Sequence, residues 1–364
     1  MLYVGCLNQS DMKILINTPD WRKPYLGGVA NHYHGLKPFW SQDVRYNIVG
    51  SRGKAGLGFL YLPIDVLRYI YILLVWKPDL VVLNPSLAPN AMKRDSLFLK
   101  IASLFKRKSI VFFHGFNLSY AEKIDEKQFC SMFSKADSFV VLAEKFKDYL
   151  IGWGMVQPIY TATTKVDDRL IETFDVGIRT GKVDTILLLS RVEKSKGIYE
   201  AVDTFALLQK QYSTLKMRIV GDGSELNNLK EYVDKLKLGN NVSFTGMLSG
   251  KALINQFISA DLYFFPSYHE GMPTTVLEAM AFGLPIITRP VGGLVDFFEN
   301  GKMGEMIDSL EAKDFAKSIQ HYIEDPTLTK STSLYNYQYA KMHFYASTVA
   351  EKMESLFNRI VYDK

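Results

Sequence analysis

The sequence predicts an α/β protein built from two doubly wound parallel-sheet domains facing each other across a cleft, and three observations lead there. Short apolar runs of strand length alternate with helix-like stretches along the whole chain. The alternation occurs twice, with a set of strand candidates in each half. Between the sets lies the stretch from Thr161 to Gly181, which has little strand or helix pattern of its own and marks the seam. At 364 residues the chain has room for two domains of ordinary size, each with its own core.

In the first half the strand candidates are Lys13 to Asn17, Tyr46 to Gly50, Leu80 to Asn84, Ser109 to His114 and Ser138 to Leu142, with Ile, Val, Leu and Phe setting their apolar character. Gly28 to Trp40 and Glu144 to Gly152 read as helices between them. Leu57 to Trp76 is the nearest thing to a membrane span, but Pro63, Asp65 and Arg68 interrupt it. A buried or interfacial helix is the expectation there. Met1 to Asp11 is too short and too uncharged at its start to make a cleavable signal, and Met12, which heads the first strand, offers an alternative start. In the second half Thr185 to Ser190, Lys216 to Val220, Val242 to Thr245, Leu262 to Pro266 and Ile286 to Thr288 repeat the scheme. Tyr335 to Tyr362 reads as a closing helix.

Composition narrows the class further. Hydrophobic residues make up 48% of the chain and aromatics 13%, which excludes a disordered protein. Cys6 and Cys130 form neither a CxxC pair nor a metal-ligand spacing, so a reducing cytoplasm is the expected compartment. The net charge of +5 hides an asymmetry: residues 1–170 carry 22 Lys+Arg against 14 Asp+Glu, or +8, and the remainder 21 against 24, or −3. A basic first half suggests an anionic partner, nucleic acid or anionic lipid. Lys93-Arg94, Lys100 and Lys106-Arg107-Lys108 interleave with SLFLKIASLF as a basic amphipathic helix able to lie on a membrane, or equally as a solvated helix face packed on the domain core. No recognised nucleic-acid motif accompanies them, so nucleic acid is not the expected partner.

The most informative stretch is FFPSYHEGMPTTVLEAMAFGLPII, Phe264 to Ile287. It places Glu270 in a loop and Glu278 one turn into a helix, around the turn Gly271-Met272-Pro273-Thr274-Thr275. Thr274 or Thr275 is positioned to cap that helix, and the turn offers free backbone NH groups and the positive end of a helix dipole, which suit a diphosphate. One carboxylate can accept hydrogen bonds from hydroxyls of a sugar, the other from ribose. Thr275-x-x-Glu278 also fits an ordinary capping box. Gly221-x-Gly223 does not complete a dinucleotide fingerprint, since Leu226 occupies its last position.

The block resembles the E-x7-E signature of retaining glycosyltransferases of the GT-B fold, in particular glycosyltransferase family 4, and Gly283-Leu284-Pro285 and Val291-Gly292-Gly293 continue the pattern in register. Ser190 to Ile198 is similar to that family's "GR-x-x-x-x-KG" stretch, with Ser190 where Gly is usual. The resemblance gives Arg191 and Lys196 to the donor diphosphate, where cations that neutralise the growing charge stabilise the transition state. Ile219 to Leu226 resembles the "GDG-x-x-x-x-L" turn, Val242 to Gly246 the "V-x-F-x-G" strand, and Tyr25 to Ala30, with Gly27 and Gly28, the "GG-x" loop. His114, at the end of VFFHG, stands where the family often has a histidine near the reacting sugar. Ile159 to Asp167 departs from a "PNG-V-D"-like segment by lacking its Asn and Gly.

The resemblance implies a GT-B fold with residues 1–168 as acceptor domain, 169–344 as donor domain, and a C-terminal helix of about residues 345–364 crossing back to the first domain. It implies a retaining transferase that moves a hexose-type sugar from a nucleotide-sugar donor to an acceptor hydroxyl in cell-surface polysaccharide, lipopolysaccharide or capsule synthesis. The catalytic residues would be Arg191, Lys196, Glu270 and His114. Donor contacts would come from Gly27, Gly28, Gly221, Gly223, Gly271, Met272, Pro273, Thr274, Thr275 and Glu278. No Asp-x-Asp occurs, so transfer without metal or other cofactor is expected. The acceptor would be a lipid-linked or oligosaccharide glycan met at the inner face of the membrane. A sugar-nucleotide epimerase of the same fold and a non-catalytic sugar-nucleotide-binding scaffold are the alternatives.

Overall fold

The computed structural model describes residues 12–21, 27–50, 58–116 and 118–362; Met1 to Asp11 with Cys6, and Tyr25 and Leu26 of the glycine loop, lie outside them. The chain divides into two compact units, one of residues 1–163 and 349–364, the other of residues 164–348.

The first unit runs β1 (Lys13–Thr18), α1 (Gly28–Leu36), β2 (Asp43–Ile48), α2 (Gly58–Val75), β3 (Leu80–Leu83), α3 (Pro89–Leu104), β4 (Lys108–Phe113), α4 (Leu118–Ala121), α5 (Glu126–Phe133), β5 (Ser138–Val141), α6 (Glu144–Gly152) and β6 (Ile159–Thr161). Its six strands are parallel in the order β2-β1-β3-β4-β5-β6. The central strands are buried along their length, as sheets covered on both faces require, and so read in sequence as unbroken apolar runs. The helix expected over Gly28 to Trp40 stops at Leu36 and tightens into a 3₁₀ turn at Lys37–Phe39, where Pro38 cannot continue the hydrogen-bond ladder. The second strand lies three residues earlier than expected, paired with β1 from Asp43 to Ile48. The basic helix α3 ends at Leu104, and Lys106 (φ 53°) turns the chain into β4, which begins at Lys108. Its inner side, Met92, Phe98, Leu99, Ile101 and Ala102, packs on the core.

The second unit runs β7 (Thr185–Leu189), α7 (Ile198–Gln209), β8 (Lys216–Val220), α8 (Leu226–Lys235), β9 (Val242–Gly246), α9 (Gly250–Ile258), β10 (Leu262–Phe265), α10 (Thr274–Ala281), β11 (Ile286–Thr288), β12 (Gly304–Met306), α11 (Ala312–Glu324) and α12 (Pro326–His343). Its parallel order is β12-β11-β10-β7-β8-β9. The seam is less featureless than expected: β6 ends at Thr161, and 3₁₀ turns follow at Asp168–Leu170 and Val176–Ile178.

The closing helix is two. α12 stops at His343, and α13 (Ala346–Tyr362) starts after Phe344 and Tyr345. The chain leaves the helix there because Phe344 and Ala346 bond Val166, whose N–H donates to Phe344 O at 2.7 Å and whose carbonyl accepts from Ala346 N at 2.8 Å. From Val349 onward α13 belongs to the first unit. There Glu354 accepts from Ser41 N (2.7 Å), Ser41 Oγ (2.6 Å) and Gln42 N (3.0 Å), and Phe357 stacks near Trp40. Among the described residues no helix is long and apolar enough to cross a membrane.

Candidate functional site

In the second unit β7 is followed on one side by β8 and β9, while β10 returns to its other side. The strand order therefore reverses between β7 and β10, and open α/β sheets bind ligands at the carboxyl ends of their strands at such a point. Two loops meet there. Residues 190–197 follow β7, and residues 266–273 follow β10. Tyr268 N donates to Ser195 O at 2.9 Å, and Gly197 (φ 68°) approaches Pro266 so closely that a Cβ would lie 2.2 Å from its carbonyl oxygen.

The side chains joining the loops are Lys196 and Glu270. Lys196 Nζ stands 2.6 Å from Glu270 Oε1, and both side chains are largely shielded from solvent. Ser267 Oγ donates to the same oxygen at 2.8 Å. Arg191, in contrast, projects into solvent and pairs with Glu193 at 3.0 Å, on the same loop but outside this cluster.

Glu278 lies one turn into α10 and is buried. Burial pushes its carboxyl up to about 7, the Lys165 ammonium pulling it partly back and Asp167 adding to the rise. Burial likewise lowers Lys165, against the opposing pull of Asp167 and Glu278. Lys165 was missed as a site residue from sequence. Its signal was the departure itself, since it occupies the position where the "PNG-V-D" pattern has Gly.

The helix beneath the turn is not capped as expected. Its N-cap is Pro273, which has no side-chain donor or acceptor, and neither threonine bonds the helix terminus. The Thr275 hydroxyl is engaged instead with Tyr263, whose own OH donates to Leu189 O at 2.9 Å, and Thr274 Oγ1 lies 3.3 Å from Thr164 Oγ1. The capping box is thereby excluded, and Glu278 is not spent on a backbone NH at Thr275. Met272 packs on the core cluster under the turn.

The glycines divide into two kinds. A Cβ on Gly221 (φ 139°) would fall 1.9 Å from Ser190 O, and one on Gly223 2.3 Å from Val192 O. These two are required by the neighbouring 190–192 backbone, which also bonds the turn through Val192 N to Asp222 O at 3.0 Å. Gly271 holds the other side of the site, accepting from Gly293 N at 2.8 Å. Gly27 and Gly28, which open α1 in the first unit, border open space, with nothing within 4 Å of either Cβ position.

His114 follows β4 in the first unit. Asn84 Oδ1, which also accepts from Tyr33 OH at 2.8 Å, lies 3.1 Å from His114 Nε2. Because Asn84 Nδ2 is committed to Asn17 O at 2.7 Å, the oxygen faces the ring and the imidazole carries its proton on Nε2. Burial pushes His114 down to about 3, so it is neutral at ordinary pH. It can offer a lone pair but not a proton in the imidazolium sense. Asn84 and Tyr33 were the unrecognised partners here, since nothing in their local sequence distinguishes them from core residues.

Residues 172–341 match the family model described as glycosyl transferases group 1. The chain is similar to the capsular polysaccharide biosynthesis glycosyltransferase CapM of Staphylococcus aureus, 25% identical over 218 residues, which is 60% of this chain and 57% of that protein. It is also similar to the alpha-monoglucosyldiacylglycerol synthase of Streptococcus pneumoniae, 35% identical over 31% of this chain and 26% of that one. The chain thus spans about half or less of the length of these curated relatives. Among solved structures, Anabaena HepE in complex with UDP and glucose superposes with a TM-score of 0.72 at 18% identity, covering 95% of this chain and 99% of that one. At that identity the likeness establishes the fold, and the fold is GT-B. Over residues 172–341, a little under half of the chain, the sequence thus matches the glycosyl transferases group 1.

Proposed function

We propose that the protein is a retaining glycosyltransferase of family 4 that transfers a hexose-type sugar from a nucleotide-sugar donor to an acceptor hydroxyl. The observation that carries this is the Lys196–Glu270 pair at the strand-order reversal, with Glu278 buried in the helix that starts just beyond. Lys196 has two further N–H bonds to give after Glu270 takes one, and a donor diphosphate suits them. Both described bonds to Glu270 fall on Oε1, so a hydroxyl of the transferred sugar would be taken by Oε2. Glu278 would accept from ribose. Arg191, exposed and held only by Glu193, can swing onto the diphosphate as charge grows on the leaving group.

Among the described residues no side chain is placed as a covalent nucleophile, so the working mechanism is front-face: the departing phosphate oxygen takes the acceptor's proton while Lys196 and Arg191 steady it. Charge neutralisation by these cations and by the N-terminus of α10 makes the reaction metal-independent in this scheme. The first unit takes the acceptor, a glycan on a lipid diphosphate carrier at the inner face of the membrane, for cell-surface polysaccharide or glycolipid synthesis. CapM and the alpha-monoglucosyldiacylglycerol synthase, by their names, serve syntheses of these two kinds.

Incubation with a panel of sugar nucleotides, with and without EDTA, tests this. Release of nucleoside diphosphate from one donor, unchanged by EDTA and lost in Glu270→Ala, is the expected result. Interconversion of the sugar without release would make the protein an epimerase, and binding without either a scaffold.

A further inference from the structure

α2 is built inside out. Its charged residues, Asp65 and Arg68, turn inward: Asp65 accepts from Gly50 N at 3.2 Å, and Arg68 bonds Asn47 Oδ1 at 2.8 Å and the Ile48 carbonyl at the edge of the sheet. Its outer face is apolar. Leu60, Ile64, Leu67, Tyr71, Leu74 and Val75 are each more than half exposed; the first five follow a 4-3-4-3 spacing along one side of the helix, and Val75 lies four residues after Tyr71 on the same side. A soluble surface helix has the opposite polarity, so this stripe is a surface awaiting a partner.

The neighbouring helix tells which. The β2-to-β3 and β3-to-β4 crossovers run in the same direction across the sheet, so right-handed connections put α2 and α3 on the same face. Tyr69 of α2 and Phe98 of α3 meet edge-on at 4.9 Å in the buried layer between them. On its outer side α3 exposes Lys93, Leu97, Lys100 and Leu104, again one helical stripe, and Lys106 follows it. The two acids of these helices, Asp65 and Asp95, are both buried, Asp95 beneath Arg94. Every fully exposed charge on α2 and α3 is therefore a lysine.

We propose that this face of the first unit docks onto an anionic bilayer, α2 sinking its apolar stripe to the level of the acyl chains while Lys93, Lys100 and Lys106 rest among the phosphates. The chemistry is that of an interfacial amphipathic surface, apolar in the middle and cationic along one flank, with lysine stems long enough to reach headgroups. A second copy of the chain fits less well, because a two-fold interface would bring the lysines of both copies together. This deepens the membrane-face part of the proposed function and is independent of the donor chemistry.

The test is sedimentation of the full chain with vesicles of phosphatidylcholine alone and of phosphatidylcholine mixed with phosphatidylglycerol. Binding is expected to the anionic vesicles, to weaken with salt, and to fall about twenty-five-fold in Lys93→Ala/Lys100→Ala, roughly fivefold for each lysine at the surface. Ile64→Glu/Leu67→Glu is expected to abolish it with the thermal midpoint unchanged, since both side chains are exposed. Failure of the wild type to sediment with anionic vesicles, or undiminished binding by the glutamate variant, overturns the proposal. So does a soluble dimer that the glutamate variant dissociates in the absence of vesicle binding. Isothermal titration with nucleoside diphosphates separates the two readings: vesicle binding by a protein that binds none of them removes the donor site and leaves this surface standing.

Discussion

Lys196 and Glu270 hold each other at 2.6 Å, with Ser267 as a further donor to the same carboxylate oxygen. A donor therefore enters a cluster in which Glu270 Oε1 is already taken, and its diphosphate meets the two N–H bonds that Lys196 has left. Lys196→Ala should lower kcat/KM for the sugar nucleotide by about 10²–10³, the scale of a lost transition-state electrostatic contact, with steady-state kinetics as the check. Glu278 gives a second prediction at this scale. Its folded carboxyl keeps a proton up to about 7, whereas an unfolded one releases it near 4.3. The native state thus binds the extra proton between those values, and the stability this group contributes falls as pH rises through that window. Thermal midpoints of Glu278→Gln should match the wild type near pH 4 and overtake it toward pH 7 and above. Nucleoside diphosphate affinity should move the other way in the wild type, rising through about pH 7 as the ionised carboxylate becomes available to ribose, and stay flat in the glutamine variant. Isothermal titration across pH decides it. Of these residues, Lys196 and Glu270 were legible as charged groups on loops after strands, and Glu278 as a carboxylate one turn into the helix that follows. Lys165 and the diversion of Thr275 to Tyr263 were not, because both depend on chain segments brought together only by folding.

At the scale of elements, Arg179 ties the second unit together from within. Its guanidinium donates to the carbonyls of Phe257 (2.9 Å), Ile258 (3.1 Å), Phe282 (2.7 and 3.0 Å) and Ala260, closing the ends of α9 and α10 whose last carbonyls lack helical partners. Arg179→Ala would leave these buried acceptors unpaired and should cost about 3 kcal/mol or more in denaturant unfolding, while an exposed neighbour such as Lys182→Ala should change little. Nothing around Arg179 in sequence announces this, since its partners lie some eighty to one hundred residues away. The strands were the easiest elements to read: β11 falls where its apolar run places it, because burial on both faces leaves little room for polar residues, and β8 where Lys216 and Arg218 alternate with the buried Met217 and Ile219. The short edge strands β6 and β12, three residues each and only half-buried, carry too few apolar positions to stand out. The break between α12 and α13 has no Pro or Gly to announce it, and arises from Val166 capturing the backbone of Phe344 and Ala346.

For the whole molecule, the decisive fact is that the first unit is discontinuous in sequence and the second is not. The returning part of α13 supplies Glu354 to the Ser41–Gln42 backbone, Phe357 to Trp40 and Arg359 to the Tyr160 ring at 5.5 Å. Removal of residues 349–364 should therefore destabilise the first unit selectively, seen as loss of amide-exchange protection in β1 and β2 with β7, β8 and β10 still protected. Uniform loss across both sheets would mean that the units unfold together. The same feature orders events in time. At about 5–20 residues per second, the ribosome takes roughly ten to forty seconds to add residues 164–348 after the first sheet is made. Throughout that interval the nascent first unit carries an open seat for a helix that has not been synthesised, so the later half of the gene can finish folding before the earlier half does.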